Sequence, residues 1–238
     1  MVQLQYPCDD VVPVEDEPHH RLVIANEFVR FFVVEIATLE RTLCHHHAHP
    51  YLMYVMGEAE IVSAPHDGEP KTLTYHDGDC ELSSAGLKHV VENVRETKFR
   101  NLLVELTPGL NELQRGSEPR IVAGNGTVQA IFQEERISVW SLEVNPGVQV
   151  EVYGEAIFAT LFEETPLPKH PGDITVKRHQ VSEISWIPSC RGLLRSDLDR
   201  SWRVILFQLG RTAEQLAPVR KRVCEPLKSL RTHALEPE

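Results

Sequence analysis

Short runs rich in Val, Ile and Phe, each closed by turn residues, fill most of this 238-residue chain. Runs of strand length bounded by Gly, Pro, Asn and Asp specify antiparallel β structure rather than helix. From Arg21 the pattern reads RLVIANEFVRFFVVEIATLE, then TLCHHHAH and YLMYVMGEAEIVSA, separated by Pro50. PHDGEPKTLTYHDGD is turn-rich, and CELSSAG, KHVVENV and FRNLLVEL follow as further short strands. Strands at this spacing predict a sandwich or barrel.

The pattern then repeats. A connector at about residues 108–127 carries Pro, Gly and Asn, with a short helix expected around Leu110 to Arg115. FVRFFVVEIATLERT has a counterpart in RISVWSLEVNPGVQV, HDGDCELSSAGLKHVV in HQVSEISWIPSCRGLL, and FRNLLVEL in WRVILFQL. The same order of elements in each half indicates an internal duplication. The expected organisation is an arm (1–20), a first barrel (21–107), the connector (108–127), a second barrel (128–210) and a tail (211–238). In the tail, apolar Leu216, Val219, Val223 and Leu227 sit near helical spacing, while Pro218 and Pro226 break it into short helical pieces.

Composition limits the partners. The net charge is −11, and nucleic acid or an anionic membrane would ask for clustered Lys and Arg. No apolar run approaches the roughly 20 residues that cross a bilayer. The start, MVQLQYPCDDVVPVEDEP, lacks the basic, apolar and small-residue series of a secretory signal, so a cytoplasmic protein is expected. Five cysteines without a C-x-x-C argue against a disulfide framework or a Cys-based zinc site and read as separate core thiols.

The densest chemical feature is Cys44-His45-His46-His47-Ala48-His49-Pro50. Side chains alternate along a strand, so His45 and His47 share one face and His46 takes the other. Two imidazoles at i and i+2 on a barrel wall can grip one divalent metal, with a third supplied by another strand, and His89 is the candidate. His66 and His76 lie in turn-rich sequence. His19, His20, His170, His179 and His233 have no recommending spacing. The competing reading is a His-rich surface tract without a ligand role.

Gly78, Gly86, His89 and Asn93 stand at the spacing of the second motif of the cupin superfamily, with Ser84 where Pro is usual. The chain thus resembles the cupins over about residues 21–210. The first motif fits less well: His45 and His47 supply its pair, but its Glu position falls on Tyr51 or Leu52. A shifted register, with His47 and His49 as the pair, moves it to Met53 or Tyr54. The resemblance implies an all-β fold, a double-stranded β-helix or jelly-roll bicupin of two tandem barrels. It implies a divalent metal on His45, His47 and His89, with His49 as fourth ligand or base. Fe(II) is favoured, with Zn, Mn or Ni as alternatives. Tyr51 and Tyr54 are read as wall residues whose hydroxyls can meet a ligand. In the second half Val152, Tyr153 and Gly154 occupy the His-x-His region and Leu193 is aligned with His89, so a second barrel without metal ligands is expected.

Three-His cupins lacking the Glu resemble thiol and diketone dioxygenases. The first expectation is therefore an Fe(II)-dependent dioxygenase acting on a small molecule. The second is a redox-neutral isomerase, lyase or decarboxylase, with His49 or a tyrosine moving the proton. The third is a metal or small-molecule sensor without turnover, since fold does not fix function. A homodimer is expected from the family's habit of pairing through edge strands.

Overall fold

The computed structural model describes residues 6, 8, 10–164, 178–187, 191–195 and 201–211. The chain divides into two compact units, Met1–Gly109 and Leu110–Glu238. In the first, the strands are β1 (Val12–Pro13), β2 (His20–Ala25), β3 (Val29–Ile36), β4 (His45–His46), β5 (Tyr51–Val55), β6 (Ala59–Pro65), β7 (Lys71–Tyr75), β8 (Cys80–Ser83), β9 (Lys88–Asn93) and β10 (Phe99–Leu106). They form two five-stranded sheets in the orders β1-β4-β9-β6-β7 and β2-β3-β10-β5-β8. Phe32, Val34 and Ile36 of β3 and Phe99 and Leu103 of β10 alternate onto the inner face and join Met53, Val55 and Ile61 in one core. The residues alternating with them, Phe31, Val33, Leu102 and Val104, are buried on the opposite face, so these central strands are apolar on both sides.

The second unit repeats the plan with β11 (Arg120–Ala123), β12 (Gly126–Gln133), β13 (Ile137–Val144), β14 (Gln149–Tyr153), β15 (Ala156–Glu164), β16 (Arg178–Ile187), β17 (Arg191–Arg195) and β18 (Trp202–Leu209). Its sheets run β11-β14-β17 and β12-β13-β18-β15-β16. The duplicated sequence segments become equivalent strands. β10 pairs with β3 from Phe99↔Ile36 to Leu106↔Val29, and β18 pairs with β13 from Trp202↔Val144 to Leu209↔Ile137. Trp140, Leu142, Val150, Val152, Phe158 and Leu206 fill this unit's core. Leu193 is registered with Glu151, one residue off the Val150↔Leu194 and Val152↔Gly192 pairs. Its side chain lies outside the described residues, as do 212–238, where the helical pieces are expected. The connector's expected helix is a 3-10 turn at Pro108–Glu112.

Two features differ from the sequence expectation. Residues 12–20 are not a detached arm: β1 runs parallel to β4, Val14 is fully buried in the core, and Glu17 is 1% exposed. Cys8 and Cys44 are not separate thiols. They form a disulfide with Cα atoms 5.0 Å apart, within the ordinary range for a bridge. A separation of 36 residues with no motif gives no local signal for that pairing.

The residues of the Gly-x-x-His-x-x-x-Asn pattern do two structural jobs besides the chemical one. Gly78 and Gly86 take φ of 91° and 88° at the ends of β8, where a Cβ would strain the turn. Asn93 is fully buried. Its Nδ2 donates to the carbonyls of Ile36, Ala37 and Thr97 at 3.2, 3.1 and 2.7 Å, and its Oδ1 accepts from Arg95 N at 3.1 Å. It therefore ties the end of β3 to the turn before β10. Asn93→Ala leaves these backbone groups short of partners and is expected to cost about 2–4 kcal/mol. Denaturant unfolding measures this, and a loss below about 0.5 kcal/mol would remove Asn93 from the turn's support.

Candidate metal centre

Four histidines meet inside the first barrel. His45 opens β4 and pairs directly with His89 of β9. His47 follows β4 and is clamped by the Gly86 turn: its N–H donates to Leu87 O at 2.9 Å and its carbonyl accepts from Gly86 N at 2.8 Å. His20 comes from the facing sheet, at the start of β2. The rings of His45 and His89 lie 4.6 Å apart, those of His20 and His45 4.6 Å, and those of His45 and His47 5.0 Å. All four are nearly or fully buried.

Each ring is fixed by its Nδ1. In His20 it meets Glu17 Oε2 at 2.6 Å, in His45 the Leu43 carbonyl at 3.0 Å, in His47 Glu105 Oε1 at 3.3 Å, and in His89 Ser63 Oγ at 3.1 Å. An Nδ1–H donated to a carbonyl or carboxylate leaves Nε2 as a lone pair, the tautomer that binds metals. His45 Nε2 is buried and has no hydrogen-bond partner. Ligand atoms of His20, His45 and His47 all lie within 4.8 Å of one another, the one such group among the described residues. The donor set therefore fits one divalent ion, with His89 beside it.

The outer partners carry charge. Glu17 is sealed from solvent, and burial opposes its ionisation. Hydrogen bonds from His20 and His19 win and hold its carboxyl down at about 2. Glu105 is pushed up to about 7 by burial, against the pull of Arg30, whose Nη1 stands 3.1 Å from Oε2. Burial, and then the neighbouring His20, lower His45 to about 4, and burial pushes His47 and His89 well below the usual imidazole range. His45, His47 and His89 are therefore neutral at pH 7, as metal ligation requires.

The structure thus brings together His45, His47 and His89 and adds His20, which spacing in the sequence does not recommend. His20 reaches the site only through the packing of one sheet on the other. Its one local signal is Glu17 three residues earlier. His49 is half-buried and does not line the cavity; it acts electrostatically on Glu15 instead. Tyr51, where a cupin Glu is expected, lays its ring 4.1 Å from that of His47 at a 31° tilt. Tyr54 is fully buried but does not line the cavity. Tyr51, Met53 and Val55 take the inner face of β5, so the strand's two-residue period puts Tyr54 on the other.

These shifts set the acid behaviour of the metal-free protein. An imidazole with a lowered folded pKa is protonated first in the unfolded chain, so stability is lost as pH falls from about 6.5 toward 4. Glu105 works the other way between about 7 and 4.5, because the folded state then holds the extra proton. Three imidazoles outweigh one carboxyl. Chelator-treated protein is expected to lose roughly 2–4 kcal/mol between pH 7 and pH 5. Denaturant midpoints across that range measure it, and a flat profile would contradict the neutral buried cluster.

No protein-family model matches the sequence, and no curated protein matches it. Solved structures do. Vicilin from Solanum lycopersicum (tomato) aligns with a TM-score of 0.53 and 12% identity over 79% of this chain and 76% of its own. AerE from Microcystis aeruginosa aligns at 0.50 and 14% identity over 81% of this chain and 98% of its own. A cupin 2 conserved barrel domain protein from Leptotrichia buccalis aligns at 0.44 and 10% identity over 80% and 88%. At these identities the likeness is one of fold. Two tandem units, each with paired sheets in jelly-roll order, and in the first the two-motif histidine site: the chain has the cupin fold twice, a bicupin architecture.

Proposed function

We propose that the first barrel is a metal-dependent catalytic site for a small molecule, and that the protein is a non-haem Fe(II)-dependent dioxygenase. The observation that carries the reading is the buried, unpartnered His45 Nε2 at the centre of a set of buried imidazoles. A buried nitrogen without a partner costs about 1–3 kcal/mol, and coordination offsets that cost. His20, His45 and His47 would hold the ion, with His89 as the fourth candidate. A ligand set of imidazoles suits iron, zinc, copper and nickel alike. When iron is bound, it supplies positions at which a substrate and dioxygen can meet. The chain's own residues then hold and shield: Glu17 and Glu105 fix the His20 and His47 rings, Tyr51 closes one side of His47, and Val34, Ile36 and Leu103 keep the cavity apolar.

Redox-neutral isomerase, lyase or decarboxylase chemistry is the second reading. It is favoured by the donor set, since a group of imidazoles takes zinc or nickel as readily as iron. A cytoplasmic homodimer is the setting in which we expect either activity.

Elemental analysis of protein purified without added metal or a His-tag column tests the shared part of both readings. One equivalent of metal is expected, with most of it lost in His45→Ala and in His20→Ala while far-UV circular dichroism is unchanged. Retention of full metal by both variants would remove the site. Anaerobic reconstitution with Fe(II) and an oxygen electrode separate the two readings. Substrate-dependent oxygen uptake supports the dioxygenase. Turnover without oxygen, sustained by zinc, manganese or nickel, supports the second.

A further inference from the structure

Past the histidines, the cavity wall carries an unbalanced set of polar groups. Among the described residues, no Lys or Arg lines it. Of its hydroxyls, Ser63 Oγ meets His89 Nδ1 and Tyr75 donates to Glu81. Two acceptors remain. Glu81, on β8, is the one carboxylate of the lining and is exposed, so it stands where the cavity opens. Tyr75 donates to its Oε2 and stays a donor, because burial, reinforced by that bond, raises the phenol pKa. Glu81 Oε1 has no partner among the described residues.

The second acceptor is Asn101, on the inner face of β10. It is 2% exposed, it lines the cavity, and its Oδ1 has no hydrogen-bond partner. Asn101 and Glu105 share a strand face four residues apart, about 13 Å along the chain. Glu105 meets His47, so the spare acceptor lies away from the metal-binding end. Val34 and Val55 flank Asn101 in register, and Leu103 lies between it and Glu105.

We propose that this cavity selects a small molecule whose non-chelating end is a neutral or cationic hydrogen-bond donor, and turns away one ending in a carboxylate. Glu81 is the charge filter at the opening and Asn101 Oδ1 the acceptor inside. The inference rests on the metal-binding reading above. The physical reason is one-sided. A carboxylate at the non-chelating end stays away from the ion, finds no Lys or Arg on the wall and meets the repulsion of Glu81. A hydroxyl or ammonium group satisfies an acceptor that is otherwise buried and unpaired.

The test uses the full chain loaded with Zn(II), its metal content measured on the same sample. The probes are straight-chain hydroxamates of three to six carbons, which chelate through the head and differ only in a tail ending in ammonium, hydroxyl, methyl or carboxylate. Titration calorimetry is expected to show the carboxylate tail binding about ten-fold more weakly than the ammonium tail, with the gap shrinking at high salt. Glu81→Gln should close that gap to about two-fold and leave the methyl-tailed probe unchanged. Asn101→Leu should remove the preference for hydroxyl over methyl. Equal or better binding of the carboxylate tail, or a gap that survives Glu81→Gln, overturns the inference. Zinc uptake with no binding of any probe also overturns it and leaves the metal site standing. No zinc uptake removes the reading beneath it.

Discussion

Four imidazoles packed against one another in an apolar barrel interior constrain everything around them. Charged, they would repel and lose hydration at a cost the barrel could not offset. Each also needs its Nδ1 satisfied and its ring aimed. The partners that do this come from scattered places: Glu17 before β2, the Leu43 carbonyl before β4, Ser63 on β6 and Glu105 on β10. Each lies on a different element, so the site exists only when both sheets are closed. Glu17 shows the degree of commitment. With no exposed surface, it accepts from His19, His20 and the Leu43 amide, and so joins the N-terminal segment to the His45 strand.

The fold was largely legible in the sequence because its signals are local. The short apolar runs FVRFFVVEI and FRNLLVEL predict strands, and both form full-length paired strands. The Gly78, Gly86, His89 and Asn93 spacing marks turn, ligand and staple at once, and the two glycines take the left-handed φ such turns need. His45 and His47 were readable as a pair because a strand places i and i+2 on one face. His20 was not, because its contact with His45 crosses from one sheet to the other and leaves no periodic trace. Tyr51 and Tyr54 look alike in sequence but differ by three residues, and an odd step on a strand changes face. His49 fails for a related reason: β4 ends at His46 and Pro50 intervenes before β5, so alternation cannot be carried from His47 through to the next strand. The Cys8–Cys44 bridge joins residues 36 apart in sequence, which no local pattern encodes.

The second unit shows that the scaffold and the site are separable. β13 and β18 keep the same eight-residue pairing as β3 and β10, yet β14 offers Val150 and Val152 to the core where the first unit offers His45 and His47. An apolar filling needs no outer partners. Each buried Val contributes roughly 1.5–3 kcal/mol by leaving water, and no tautomer has to be set. A histidine filling recovers nothing comparable until its lone pairs are used. The first unit therefore has to carry Glu17, Glu105 and Ser63 as well as its histidines, whereas the second fills the equivalent strand face with Val150 and Val152 and keeps its buried polar groups, such as Glu151 and Gln208, in hydrogen bonds of their own. A barrel that keeps so many dependent polar groups in its interior is under a demand other than stability, and the His20, His45 and His47 nitrogens, within 4.8 Å of one another, are placed so that they could hold one divalent ion.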